Sequence, residues 1–136
     1  MTNPIMASAL VGIGGFFGSI ARYGLSVFCQ RFSVEWPFGT LAANVFGCFL
    51  IGVIASLSDR AESLSPATRL FLATGFCGGF TTMSSMIYET AQMARSGEYL
   101  HASGYVGITL AGSMTAFLAG AVLVRVVVKS AGGPWN

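Results

Sequence analysis

The chain has 136 residues, of which 54% are hydrophobic and only 9% charged, and its mean hydropathy is +0.71. A soluble globular domain carries about 25% charged residues, so this composition excludes a disordered chain and a water-soluble domain. A net charge of +2 leaves no strongly basic surface, and we expect no nucleic-acid partner.

Four long uncharged stretches define the predicted fold class. A helix needs about 20 consecutive apolar residues to cross the hydrocarbon layer of a membrane. The pattern predicts an all-α membrane protein, a single four-span domain over residues 1–136 that lies in the lipid bilayer. The expected spans are Met6–Cys29, Phe38–Leu57, Pro66–Met93 and His101–Val128. Because the loops are short and no nucleophile–base set or metal-ligand spacing occurs, we expect no enzyme activity.

The first expected span is rich in glycine and contains one arginine. Gly14 and Gly18 are four residues apart, a spacing that lets two membrane helices approach closely. Arg22 lies inside the span, and charges within a membrane are functional candidates by default. Its long side chain can also extend to the nearby interface, so both interpretations stay open.

The second expected span carries two polar residues one helical turn apart. Thr40 and Asn44 therefore share one face of the helix. An amide inside a membrane is costly without a hydrogen-bond partner. Asn44 therefore either joins two helices or lines a polar path.

The third expected span contains the features most unusual for a membrane helix. Ser65 and Pro66 predict its start, because serine caps helix N-termini and proline suits the first helical position. Three glycines within residues 75–79 each cost about 1 kcal/mol in helix propensity. A helix broken here would expose backbone groups that can bind an ion. The alternative is close packing, with the following hydroxyls bonded back to the preceding turn; these are Thr81, Thr82, Ser84 and Ser85.

The remaining polar groups are one acid and a row of hydroxyls. Glu89, near the end of the third span, is expected near a vestibule, and proton coupling is an open alternative. Tyr105, Thr109 and Ser113 recur every four residues along one face of the fourth span. This stripe suits the passage of a small hydrated ion or an anion, and it equally suits hydrogen bonds between helices.

The basic residues show only a weak bias toward one side of the membrane. One side carries four of them, and the other carries two, or three if Arg22 is counted. The first set is Arg60, Arg69, Arg125 and Lys129, and the second is Arg31 and Arg95. The positive-inside rule then gives either one weakly determined orientation or insertion in both orientations. So small a bundle also favours oligomerisation, with a homodimer as the simplest closed form.

Three segments carry ordered sets of glycines and polar residues. They are Gly15-Phe16-Phe17-Gly18-Ser19-Ile20-Ala21-Arg22-Tyr23, Pro37-Phe38-Gly39-Thr40-Leu41-Ala42-Ala43-Asn44 and Thr74-Gly75-Phe76-Cys77-Gly78-Gly79-Phe80-Thr81-Thr82. They resemble the motifs G-x-x-G-x-x-x-R-[WY], P-x-G-T-L-x-x-N and T-G-x-x-G-G-[FL]-[ST]-T of the Fluc (CrcB) family of fluoride ion channels. The resemblance extends over all four spans.

This resemblance implies a dual-topology antiparallel homodimer in the bacterial inner membrane that exports fluoride passively and lowers its toxicity in the cytoplasm. It implies a structural sodium ion at the dimer centre, bound by the backbone carbonyls of Gly78 and Thr81. Arg22 would lie in the vestibule. The fluoride pathway would include Thr40, Asn44, Met83, Met86, Tyr105, Thr109 and Ser113.

One departure from the family pattern concerns the pathway itself. Where the family typically has two phenylalanines, this chain has Met83 and Met86. A thioether lacks the electropositive edge of an aromatic ring. A non-conducting subunit, or one that needs a paralogous partner in a heterodimer, is therefore an alternative. A small proton-coupled drug exporter is another, although the first span lacks the buried glutamate of that class.

Overall fold

The computed structural model describes residues 3–32, 36–59 and 64–131 of the chain. All regular structure within these ranges is helical. Four helices are long and apolar enough to cross a membrane: Pro4–Cys29, Phe38–Ser58, Pro66–Arg95 and Tyr99–Ser130. Their ends lie within two residues of the bounds expected from the sequence. The predicted all-α architecture with four membrane-capable helices is confirmed for these ranges. Arg60, which was counted among the basic residues on one side of the membrane, lies outside the described residues.

The third span is not a uniform α-helix. It starts at Pro66, and the Ser65 hydroxyl accepts a hydrogen bond from the N–H of Thr68 at 3.1 Å, which confirms the predicted cap. Four helical segments follow one another along this span. They are α3 (Pro66–Arg69), a π-helix (Leu70–Cys77), α4 (Gly78–Phe80) and α5 (Met83–Arg95).

The helix is interrupted between α4 and α5. Thr81 and Thr82 are extended, with ψ angles of 156° and 112°. The Thr82 hydroxyl caps α5 by accepting a hydrogen bond from the N–H of Ser85 at 3.1 Å. The interruption therefore follows the glycine cluster, as the sequence predicts, and its backbone groups lose their helical hydrogen-bond partners.

The helix α1 (Pro4–Cys29) packs against the first half of the third span through glycines. Gly14 and Gly18 are buried in this contact. A Cβ atom on Gly75 would lie 2.9 Å from the Val11 carbonyl oxygen and 3.0 Å from the Gly14 Cα. Only glycine allows backbones to approach so closely. Within one protomer, the Gly14–Gly18 pair is thus a helix-packing feature.

The helices α2 (Phe38–Ser58) and α6 (Tyr99–Ser130) form the second close pair. A Cβ atom on Gly52 would lie 3.2 Å from the Ala121 nitrogen, and one on Gly120 would lie 3.1 Å from the Val53 nitrogen. Helix α5 also packs on α6 after a turn at Gly97, whose φ of 81° suits glycine. The second half of the third span therefore lies beside both α2 and α6.

The interior of the protomer is small and its surface is strongly apolar. The largest fully buried side chains are those of Tyr105 and Cys77. Many large apolar side chains of α1 face outward, among them Ile13, Phe16, Phe17 and Ile20. Such an all-round apolar surface is typical of helices that face lipid or another membrane helix.

Candidate functional site

The first polar contact of the site joins α2 to the helix interruption. The N–H of Thr82 donates to Asn44 Oδ1 at 2.7 Å, and Asn44 Nδ2 donates to the Thr82 carbonyl oxygen at 3.1 Å. Both residues are buried. Because extended Thr82 has lost its helical partners, the Asn44 amide replaces a donor and an acceptor at once. In this structure Asn44 thus joins two helices and stabilises the interruption.

A second contact joins three helices through one carboxylate. Thr40 Oγ1 donates to Glu89 Oε1 at 2.7 Å, and the Tyr105 hydroxyl donates to Glu89 Oε2 at 2.6 Å. Within residues 3–32, 36–59 and 64–131, the one ion pair is between His101 and Glu98. Glu89 therefore has hydroxyl donors as partners rather than a cation, and these bonds to a charged group are the strong kind.

The hydrogen-bond partners of Glu89 were not predicted from the sequence. The sequence marks it as a lone acid inside a span but assigns it no partner. That it is a lone acid within an apolar span could have predicted nearby donors, because a carboxylate inside a membrane needs hydrogen-bond partners. Thr40 and Tyr105 belong to the predicted polar path, yet their link through Glu89 depends on how three helices pack.

A cavity of about 310 Å³ opens beside this carboxylate. Thr40 and Glu89 line it from α2 and α5, and α1 contributes Ser26 and Cys29. Trp36 also lines it, before α2 begins. The cavity agrees with the expectation that Glu89 lies near a vestibule.

The hydroxyl stripe on α6 does not act as one unit. Tyr105 and Thr109 are buried, whereas Ser113 is half-buried. Thr109 Oγ1 donates to the Tyr105 carbonyl oxygen at 2.7 Å, one turn back along the same helix. Ser113 makes no side-chain hydrogen bond to any residue that the structure describes. The donor of Thr109 is therefore already used within α6, while the Ser113 hydroxyl has no acceptor among residues 3–32, 36–59 and 64–131.

Met83 and Met86 lie in different surroundings, although the sequence suggests a pair. Met86 is 3% exposed and belongs to the core, whereas Met83 is 67% exposed at the first residue of α5. A protomer thus buries one thioether and leaves the other on its apolar surface.

The carbonyls of Gly78 and Thr81 have lost the donors that a continuous helix would provide. The N–H of Thr82 would bond Gly78 but donates to Asn44. The N–H of Ser85 would bond Thr81 but donates to the Thr82 hydroxyl. Carbonyl oxygens that have lost their helical donors are suitable ligands for a hard cation.

Arg22 contacts the same interruption from α1. Its Nε donates to the Gly79 carbonyl oxygen at 3.2 Å. It is not among the residues that line the cavity beside Glu89. A vestibule position for Arg22 therefore stays a prediction, and its observed contact is with the backbone of the third span.

Comparison with known proteins gives a consistent set of relatives. The chain is 43% identical over 126 residues to the fluoride-specific ion channel FluC of Chlorobium phaeobacteroides, covering 93% of this chain and 98% of that protein. It is 47% identical to FluC of Chlorobaculum tepidum, with coverages of 85% and 92%. For FluC of Leptospira interrogans the identity is 43%, with the same coverages of 85% and 92%.

A family model gives the same result over most of the chain. The model described as "CrcB-like protein, Camphor Resistance (CrcB)" matches residues 9–121. This match includes the whole third span and its interruption, together with most of the other helices. With its four apolar helices, this multi-pass membrane protein belongs to the CrcB family.

Proposed function

We propose that this chain is a fluoride-selective ion channel that exports fluoride passively across the bacterial inner membrane and so lowers fluoride toxicity in the cytoplasm. The relatives named fluoride-specific ion channels support this function. The observation that carries it is the convergence of the Thr40, Asn44 and Tyr105 donors inside a membrane-spanning bundle. Polar groups inside a membrane protein are costly unless they have partners, and they mark candidate functional sites.

The geometry suits an anion for a chemical reason. Fluoride is small and strongly hydrated, so a selective path must replace its water with hydrogen-bond donors at close range. The hydroxyls of Thr40 and Tyr105 already donate to an anion, the Glu89 carboxylate. Donors arranged for carboxylate oxygens can also serve fluoride if they turn away from Glu89 as the ion arrives. Ser113, whose hydroxyl has no acceptor in the described part of the chain, would need no such exchange.

The conducting form in this proposal is an antiparallel homodimer with dual topology. The weak bias in the distribution of basic residues supports insertion in both orientations. Gly78 and Ser84 are exposed on the protomer beside the interruption. Backbone and hydroxyl groups at this depth need cover from protein or water rather than lipid, and a second copy supplies it.

A structural sodium ion fits the same surface. The carbonyls of Gly78 and Thr81 would hold it, because their helical donors are bound elsewhere. The ion would supply positive charge at the dimer centre, which favours a nearby anion. In the protein itself, Asn44 and the Thr82 hydroxyl keep both carbonyls free of donors.

The two methionines favour a second candidate function, a subunit that assembles without conducting or that requires a paralogous partner. Met83 and Met86 cannot offer the positive ring edge of phenylalanine. Their methyl hydrogens are only weakly polarised, and the side chains are more flexible.

Fluoride efflux from sealed liposomes that carry the purified protein separates the two candidates. A fluoride electrode records release, valinomycin with potassium removes the charge imbalance, and a matched chloride run tests selectivity. We expect fluoride release without chloride release. Absence of fluoride release from a verified dimer would contradict the channel proposal and favour the partner-dependent subunit.

A further inference from the structure

The Gly79 carbonyl differs from those of Gly78 and Thr81 because side chains of α1 donate hydrogen bonds to it. Arg22 Nε donates to this oxygen at 3.2 Å, and Ser19 Oγ donates to it at 3.5 Å. In a continuous helix the N–H of Met83 would be the donor. Met83 is instead the first residue of α5, and no hydrogen bond joins its N–H to Gly79 in the described part of the chain. Side chains of α1 thus replace a missing helical bond.

The charge of Arg22 also suits this position. The first half of the third span ends at Phe80, and the carboxyl end of a helix carries partial negative charge on its last carbonyls. Arg22 is half-buried and has no carboxylate within ion-pair distance among the described residues. Its guanidinium therefore contacts a backbone carbonyl at a helix end rather than an acid.

The close approach of two backbones lets Arg22 reach the oxygen. A Cβ atom on Gly79 would lie 2.9 Å from the Gly15 Cα, and one on Gly18 would lie 2.9 Å from the Phe80 nitrogen. Helix α1 therefore lies directly on the last turn before the interruption. The arginine side chain follows one helical turn after Gly18 on the same helix.

We propose that Arg22 is a positioning residue for the helix interruption: its guanidinium replaces the N–H of Met83 as the donor to Gly79. The third span then stays open at Thr81 and Thr82, and the Thr82 N–H stays on Asn44. The inference rests on the proposed function only for its effect on fluoride flux, since the hydrogen bonds themselves are independent of transport.

Amide hydrogen exchange at Met83 and Thr82 tests this role in the full chain purified in detergent. In Arg22→Met the Gly79 carbonyl keeps only the longer hydrogen bond from Ser19, so we expect the helix to close toward Met83 and the exchange rate of that amide to fall by about tenfold or more. Arg22→Lys, which keeps a cationic donor, restores the wild-type rate. Arg95→Met at the exposed end of α5 is the matched control and leaves the rate within about twofold.

Equal exchange in wild type and Arg22→Met would overturn the proposal, as would failure of lysine to restore the rate. If Arg22→Met does not fold, Arg22→Ala, which also removes the donor, is measured in its place, and a Met83 exchange rate equal to that of the wild type overturns the proposal. Fluoride efflux is recorded for each variant. A wild-type protein without efflux contradicts the proposed function alone, because the exchange rates still decide the role of Arg22.

Discussion

At the residue scale, the main finding is that most candidate donors already have acceptors inside the protein. Thr40 and Tyr105 donate to Glu89, Thr109 donates to its own helix, and one N–H of Asn44 donates to Thr82. Buried polar groups are normally satisfied in this way. Under the proposed function, an anion that passes Thr40, Asn44 and Tyr105 would take the place of these internal acceptors.

The sequence could predict these residue types but not their partners. Thr40 and Asn44 follow from helical spacing, since both lie on one face of α2. Their contacts with Glu89 and Thr82 depend on the antiparallel packing of α2 and α5 and on the interruption between α4 and α5. The spacing of residues along one helix does not predict which face of another helix those residues contact.

A double-mutant cycle tests the carboxylate link. Thr40→Val and Tyr105→Phe each remove one hydrogen bond to a charged group, so each should lower the free energy of unfolding by about 1.5–3 kcal/mol. In a Glu89→Ala background the same changes should cost less than about 1 kcal/mol, because the shared acceptor is gone. Denaturant unfolding in detergent measures both series.

Thr115→Val is the matched control for this cycle. Its exposed hydroxyl donates only to the Ala111 carbonyl oxygen on its own helix. We expect a change within about 0.5 kcal/mol in either background. Equal costs for Thr40→Val with and without Glu89 would contradict the link.

At the scale of elements, glycine allows the close approach of α1 to the third span, and the interruption at Thr81 and Thr82 follows the glycine cluster. The Ser65–Pro66 start and the interruption could be predicted, because capping and helix propensity are local properties of the chain. The π-helix over Leu70–Cys77 could not, since hydropathy is the same for an α- and a π-helix. This π-helix packs against α1.

Gly18→Ala tests the close contact between α1 and the third span. The added methyl would collide with the backbone of Phe76 and Phe80, so we expect a loss of about 1–3 kcal/mol in the free energy of unfolding. Gly12→Ala on the same helix has open space around the new methyl and should be neutral or stabilising by up to about 1 kcal/mol. Thermal unfolding in detergent compares them. Equal stability of the two variants would contradict the contact.

At the scale of the whole molecule, a protomer with so small an interior leaves its polar interruption partly exposed. The fold of one chain could be predicted from hydropathy, because each span is set by the thickness of the bilayer. Its assembly could not, since the charge bias fits either one orientation or two. The proposed antiparallel dimer would cover the exposed interruption and would explain the weak charge bias.

Cysteine labelling in intact cells tests dual topology. The variants are Ser96→Cys and Asp59→Cys, each made in a chain whose native cysteines are replaced by serine. The two positions lie at opposite ends of the bundle. An impermeant maleimide should label about half of the molecules of each variant. Full labelling of one variant and none of the other would establish a single orientation and contradict the antiparallel dimer.

The central claim is that fluoride passes the polar residues at the helix interruption, and paired asparagine variants test it most directly. Asn44→Asp places a negative charge against the Thr82 carbonyl and removes the amide donors, whereas Asn3→Asp keeps the Oδ1 that accepts from Ile5 at the start of α1. Fluoride efflux from liposomes should fall by about tenfold or more in Asn44→Asp, the loss expected when about 1.4 kcal/mol or more of stabilisation is removed. It should stay at the wild-type rate in Asn3→Asp. Wild-type efflux through a folded Asn44→Asp channel would contradict this account.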